Sequence, residues 1–178
     1  RLDSAMYRFV CSLVIGLACT AAFAQNNPQF ESRTHQEGDK KLPYRLLVPR
    51  DYDAAKAWPL VIWLHGSGEK GNNNTAQLSA ITNTFLGNRD MCPALVMVPQ
   101  CPDNSSWLAV GLNEPPKVTE PSRMIIATIA GLQKEFNLDD RRIYIGGFSM
   151  GGCGSPDILS RHPNFFAAAV PVAGPPRD

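Results

Sequence analysis

The residues best suited to chemistry are Gly147-Phe148-Ser149-Met150-Gly151, a G-x-S-x-G run with Gly152 directly behind it. A serine held between glycines on a sharp strand-to-helix turn is lifted clear of the surrounding chain. The turn strains the serine backbone, and only glycine neighbours leave space for it. The preceding residues Arg142 to Gly146 (RIYIG) read as a buried strand, and a helix is expected from Ser149 onward. That helix's first turn presents unpaired N–H groups to a developing anion. The chemistry expected is acyl transfer, with Ser149 as nucleophile.

Acyl transfer needs two donors where the oxyanion forms. One expected donor is the N–H of Met150, the residue after the nucleophile. The other is expected in His65-Gly66-Ser67-Gly68, which follows the apolar run Leu60 to Leu64 (LVIWL); Ser67 is the candidate. His65 is expected to brace the backbone of its own loop rather than serve Ser149 as a base.

Both segments need a scaffold that brings strand ends together. Tyr44 to Val48, Leu60 to Leu64, Ala94 to Val98, Arg142 to Gly146 and Ala167 to Val172 are short and mostly apolar. Such runs suit strands buried on both faces of a mainly parallel sheet. Helices are expected at Thr75 to Leu86, with Thr75 as N-cap, and at Pro121 to Phe136, where Met124, Ile125, Thr128, Ile129, Leu132 and Phe136 share one face. Alternating strands and helices predict an α/β three-layer fold. Gln25 to Phe30 reads as a loose leader containing no element, and His35 just beyond it has no evident role.

The chain has 178 residues, 17 Lys and Arg against 16 Asp and Glu, and 44% hydrophobic residues, a balance that gives one globular domain and excludes long disorder. A net charge of +1 offers no electrostatic footprint for nucleic acid. Phe9 to Ala24 is uncharged, preceded by Met6-Tyr7-Arg8 and ending in Ala22-Phe23-Ala24. That pattern is a secretory signal peptide, too short to span a membrane. The expected organisation is therefore a leader at residues 1–24 and a folded domain at 25–178, exported to the periplasm or medium. Arg1, Arg8 and Asp3 leave with the leader, so the mature chain is formally neutral. Cys92, Cys101 and Cys153 remain; the first two bracket a strand, about 30 Å apart at ~3.3 Å per residue, and cannot bridge. The scattered histidines and cysteines have no metal-ligand spacing, and no cofactor is implied.

The blocks LPYRLLVPRDYD, LVIWLHGSGEKGNNN, PALVMVPQCP, FNLDDRRIYIGGFSMGG and RHPNFFAAAVPVAG resemble secreted α/β-hydrolase esterases. The similarity is to the predicted-peptidase and carboxylesterase group near the prolyl-oligopeptidase, polyhydroxybutyrate-depolymerase and feruloyl-esterase families. It implies an α/β-hydrolase sandwich, Ser149 as nucleophile, the N–H groups of Ser67 and Met150 as oxyanion hole, and small or polysaccharide-linked esters as substrates. It leaves oligomeric state open. Two positions depart from the family: Pro156, which should disturb the helix after Ser149, and Cys153, where an aromatic residue is common.

In such hydrolases the acid and then the base follow the serine along the chain. Downstream of Ser149 the single histidine is His162, roughly 20 Å away along a continuous helix. The expectation is therefore a C-terminally truncated serine esterase that lacks its acid, its base and the last strands of its sheet. A peptidase of the same fold and a catalytically silent binding protein are the alternatives.

Overall fold

The computed structural model describes residues 29–108 and 118–174; the expected signal peptide lies outside the described residues. Strands β1 (Glu31–Glu37), β2 (Lys40–Leu47), β3 (Trp58–Leu64), β4 (Leu95–Pro99), β5 (Leu138–Phe148) and β6 (Ala168–Val172) form one sheet in the order β1-β2-β4-β3-β5-β6. The β1–β2 and β2–β4 pairs are antiparallel, and β3 pairs in parallel with both β4 and β5. β5 is likewise parallel to β6. The parallel half thus brings the C-terminal ends of β3, β4, β5 and β6 to one edge, which is where ligands bind in open α/β sheets.

Alternation along the strands divides the core in two. Leu60, Ile62 and Leu64 of β3 and Leu95 and Met97 of β4 face one side. There they meet Met124, Ile125, Ile129 and Leu132 of helix α2 (Glu120–Glu135) and Ile158 of helix α3 (Met150–Arg161). Trp63, Val96 and Val98 face the other side, against Phe85 of helix α1 (Ala80–Gly87). Two helical layers enclosing a largely parallel sheet is the three-layer arrangement expected from the sequence.

Four local expectations are corrected. β1 (ESRTHQE) has no apolar alternation and gave no strand signal, yet it pairs with β2 along its whole length. Its Arg33 binds Glu31 and Glu135, both at 2.7 Å, and so ties the hairpin to α2. Phe30, read as part of a loose leader, is 1% exposed and belongs to the core on the α1 side. α1 starts after Ser79 rather than Thr75, because Asn73 Oδ1 accepts the N–H groups of Thr75 and Ala76 and holds that stretch as a turn. Finally, α3 runs through Pro156. A proline there removes one donor, to the Gly152 carbonyl, but packing of Met150 and Ile158 on the main core keeps the helix continuous.

Candidate active site

Ser149 sits between β5 and α3 with φ 53° and ψ −112°, a left-handed conformation costly for a residue with a Cβ. Its N–H donates to the Val172 carbonyl at 2.9 Å, and its own carbonyl accepts from the Cys153 N–H at 3.0 Å. β6 and the first turn of α3 therefore hold the strained turn from both sides. The flanking glycines answer to space rather than to dihedral freedom, since none of them has a positive φ. A Cβ on Gly147 would lie 2.6 Å from the Gly151 backbone and 2.7 Å from the Leu64 carbonyl oxygen. A Cβ on Gly151 would fall on that same Leu64 carbonyl, and one on Gly152 would fall on the Val172 carbonyl. The glycine spacing lets β3, β5, β6 and α3 converge at one point.

The end of β3 leads directly into the second segment. Ser67 opens a short 3-10 turn (Ser67–Glu69) and is exposed, while Met150 is half-buried at the start of α3. Gly66 brings the two segments together: its Cβ position is 3.5 Å from Ser149 Cβ. The loop carrying Ser67 therefore meets the Ser149–Met150 turn at the sheet edge through Gly66.

His65 organises this loop. It is 2% exposed, and its Nε2 accepts the Cys101 N–H at 2.9 Å. An N–H can only donate, so Nε2 is the unprotonated nitrogen and Nδ1–H donates to the Gly66 carbonyl at 2.6 Å. Burial pushes the imidazole down to about 4, opposed by the Gly66 carbonyl and assisted by the Lys70 charge. The Gly66 carbonyl and the Ser67 N–H belong to the same peptide unit, and the chain has no cis bond among the described residues. Holding that carbonyl on the imidazole therefore aims the Ser67 N–H in the opposite direction. His65 has both ring nitrogens engaged, as a brace of its loop.

A polar network fixes the following turn. Gln100, fully buried at the end of β4, accepts the Asn74 N–H at 2.6 Å and donates to Asn73 Oδ1 at 3.0 Å and the Glu69 carbonyl at 3.2 Å. Asn74, at φ 54°, donates from Nδ2 to the Arg33 carbonyl, the Tyr44 carbonyl and Ser32 Oγ at 3.0–3.1 Å. Loops carry buried polar groups only when these are paired, and here the pairing makes the turn rigid. Glu69 is half-buried within it, and burial raises its carboxyl above the usual carboxylate range. Gln100 and Asn74 carried no expectation from the sequence, and Cys101 was considered there only as a thiol. A polar residue closing the wholly apolar strand LVMVP was the available signal.

The other two histidines lie away from Ser149. His35 is on β1, four strands from β5, about 19 Å at ~4.8 Å per strand, where it contacts Glu37 at 3.0 Å. His162 caps the far end of α3, about 20 Å from Ser149 at ~1.5 Å per residue. Asp157 is held by Arg161 at 2.9 Å on α3. Cys92, Cys101 and Cys153 are all free thiols, and burial pushes that of Cys101 up to about 12. Among the described residues, no three histidine, cysteine or acidic side chains are grouped to hold a metal ion. No helix among them is long and apolar enough to cross a membrane.

No family profile matches the chain. A thermostable esterase of known structure superposes with a TM-score of 0.77 and 36% identity over 84% of this chain, which spans 42% of that esterase. The feruloyl esterase module of Clostridium thermocellum, solved with sinapinate, superposes with a TM-score of 0.60 at 17% identity, over 83% of this chain and 56% of its own. A dipeptidyl peptidase 4 from Porphyromonas gingivalis shares the arrangement at a TM-score of 0.59 and 19% identity, over 82% of this chain and 20% of its own. Among curated sequences, a bifunctional acetylxylan esterase/xylanase of Neocallimastix patriciarum is 37% identical over 57 residues, 32% of this chain and 8% of that protein. The chain thus covers less than half of the thermostable esterase it matches. With the strand order and the turn at Ser149, these likenesses show the α/β-hydrolase fold, whose neighbours are esterases and prolyl- or dipeptidyl-type peptidases.

Proposed function

We propose that this chain is the nucleophile-bearing part of an exported serine hydrolase that cleaves carboxylic esters. Ser149 Oγ attacks the ester carbonyl, and its proton passes to a base. The carbonyl oxygen, now negative, is held by the N–H groups of Ser67 and Met150. Collapse expels the alcohol with a proton returned by the base and leaves an acyl-serine. Water then repeats the sequence to release the acid and regenerate Ser149. The acid and base come from residues outside this sequence: His65 is committed to its loop, and His35 and His162 are about 19–20 Å away.

The observation that carries the reading is the strained backbone of Ser149 at φ 53°, retained beside the Ser67 loop. Strain of this kind costs about 1–3 kcal/mol and persists where the surroundings impose it, most often at functional turns. Ester rather than amide cleavage is supported by the thermostable esterase, 36% identical over 84% of this chain, and by the acetylxylan esterase, 37% identical over 57 residues. The acetylxylan esterase points to acyl groups carried on xylan-type polysaccharide.

A fluorophosphonate probe tests the assignment. The full-length protein should be labelled at Ser149 and the Ser149→Ala variant should not. A folded full-length protein that takes no label would refute the esterase reading. Residues 1–178 alone are expected to turn over p-nitrophenyl acetate at background rate, and robust activity lost in Ser149→Ala would show that the base lies within this sequence.

A further inference from the structure

The two proposed oxyanion donors belong to different elements, so something must set the distance between the Ser67 loop and the first turn of α3. Trp107 touches both. It is fully buried, and its indole N–H donates to the His65 carbonyl at 3.0 Å. Its ring meets the His65 imidazole edge to face, with centroids 5.2 Å apart. Its Cβ occupies the notch left by Gly154, where a side chain on that residue would collide with it. Gly154 lies one helical turn beyond Met150, on the same element. The Trp107 backbone is anchored from a third side, its carbonyl accepting the Ser122 hydroxyl of α2.

We infer that Trp107 is a positioning residue for the oxyanion hole, holding the Ser67 loop in register with the helix that presents Met150; the inference rests on the acyl-transfer reading of Ser149. The physical case lies in consecutive peptide units. Trp107 fixes the carbonyl of the His65–Gly66 unit, and the His65 Nδ1–H fixes that of the Gly66–Ser67 unit. With both carbonyls pinned, rotation of the second unit is blocked, and the Ser67 N–H keeps one direction. A donor contributes to catalysis only when it is aimed at the place where negative charge develops. The N–H of Trp107 therefore acts on the chemical step without touching substrate. A tryptophan that merely filled the core would not need its N–H for turnover.

The test uses the full-length protein with Trp107→Phe, which keeps an aromatic ring in the notch and removes the donor. A second variant carries 3-benzothienylalanine at 107, matching the shape of tryptophan with sulfur in place of N–H. A third, Phe85→Leu, loosens the core on the opposite face of the sheet and controls for general destabilisation. Both position-107 variants should lower kcat for p-nitrophenyl acetate about 10- to 100-fold, part of what loss of a whole oxyanion donor costs, with KM nearly unchanged. Fluorophosphonate labelling of Ser149 should slow in parallel, while Phe85→Leu lowers the melting temperature and leaves kcat alone. Wild-type kcat and labelling rate in the benzothienyl variant would overturn the inference and leave the esterase reading standing. Absence of labelling in the parent protein would remove that reading, and the inference with it.

Discussion

His65 offers a perturbation whose size follows from the structure. In the unfolded chain its imidazole titrates near ~6.5, whereas burial in the fold holds it down to about 4. The folded state thus favours neutral His65, and between these values the unfolded chain binds the extra proton. Stability from this group is full above ~6.5 and is lost as pH falls towards 4; below that, both states are protonated. Between pH 7 and pH 4.5 the loss amounts to about 2 to 3 kcal/mol. Structure supplies the reason: a protonated Nε2 would point a second donor at the Cys101 N–H inside a site 2% exposed. The assay is urea unfolding of the parent chain and of His65→Gln at both pH values. Groups remote from His65 cancel in the difference between the two proteins; Glu69, whose carboxylate lies 4.0 Å from the imidazole and is raised by burial with opposite sign, is taken out of the comparison by carrying Glu69→Gln in both. His65→Gln should be the less stable at pH 7 and should lose about 2 to 3 kcal/mol less on acidification. Equal acid losses in the two proteins, or an imidazole NMR titration near 6.5, would refute the reasoning.

Two further predictions concern the scaffold around Ser149. Gly151→Ala places a methyl group on the Leu64 carbonyl, backbone against backbone with no side chain able to yield, so the variant should fail to give a cooperative thermal transition by circular dichroism. Asn74→Ala removes the amide NH2 that three acceptors share and the acceptor of Gln77 Nε2, and it puts alanine at φ 54°. Chemical denaturation should show it less stable by about 3 kcal/mol or more. Asn74→Gly, which relieves only the backbone, should recover part of that loss.

The centre of the parallel half was legible because β3 and β4 are largely buried on both faces. LVIWL, ALVMV and RIYIG announce themselves by apolar content alone, and a serine between glycines after RIYIG marks the turn. β1 was not legible, since its stability comes from pairing with β2 and from Arg33 reaching Glu135, a contact across 102 positions of sequence. The start of α1 was misread because Thr75 has the residue type of a cap, while the asparagine two positions earlier captures its N–H. At the site, residue types identified Ser149 as the candidate nucleophile. The hydrogen bonds that orient Ser67 run through a ring nitrogen, a main-chain N–H and an indole from three separate segments, and no local pattern encodes them.

The Ser149 turn also bears on the order in which the chain can assemble. Its strained backbone is held by Val172 of β6, and its glycines fit only once Leu64 of β3 lies alongside. β3 and β5 are separated by more than seventy residues, and pairing them requires closing that loop before any contact repays the entropy. The β1–β2 hairpin, by contrast, closes across a two-residue turn. The strained serine therefore belongs to the part of the sheet that closes over the longest loop: before β3, β5 and β6 are in register, nothing holds the Ser149 backbone at φ 53°.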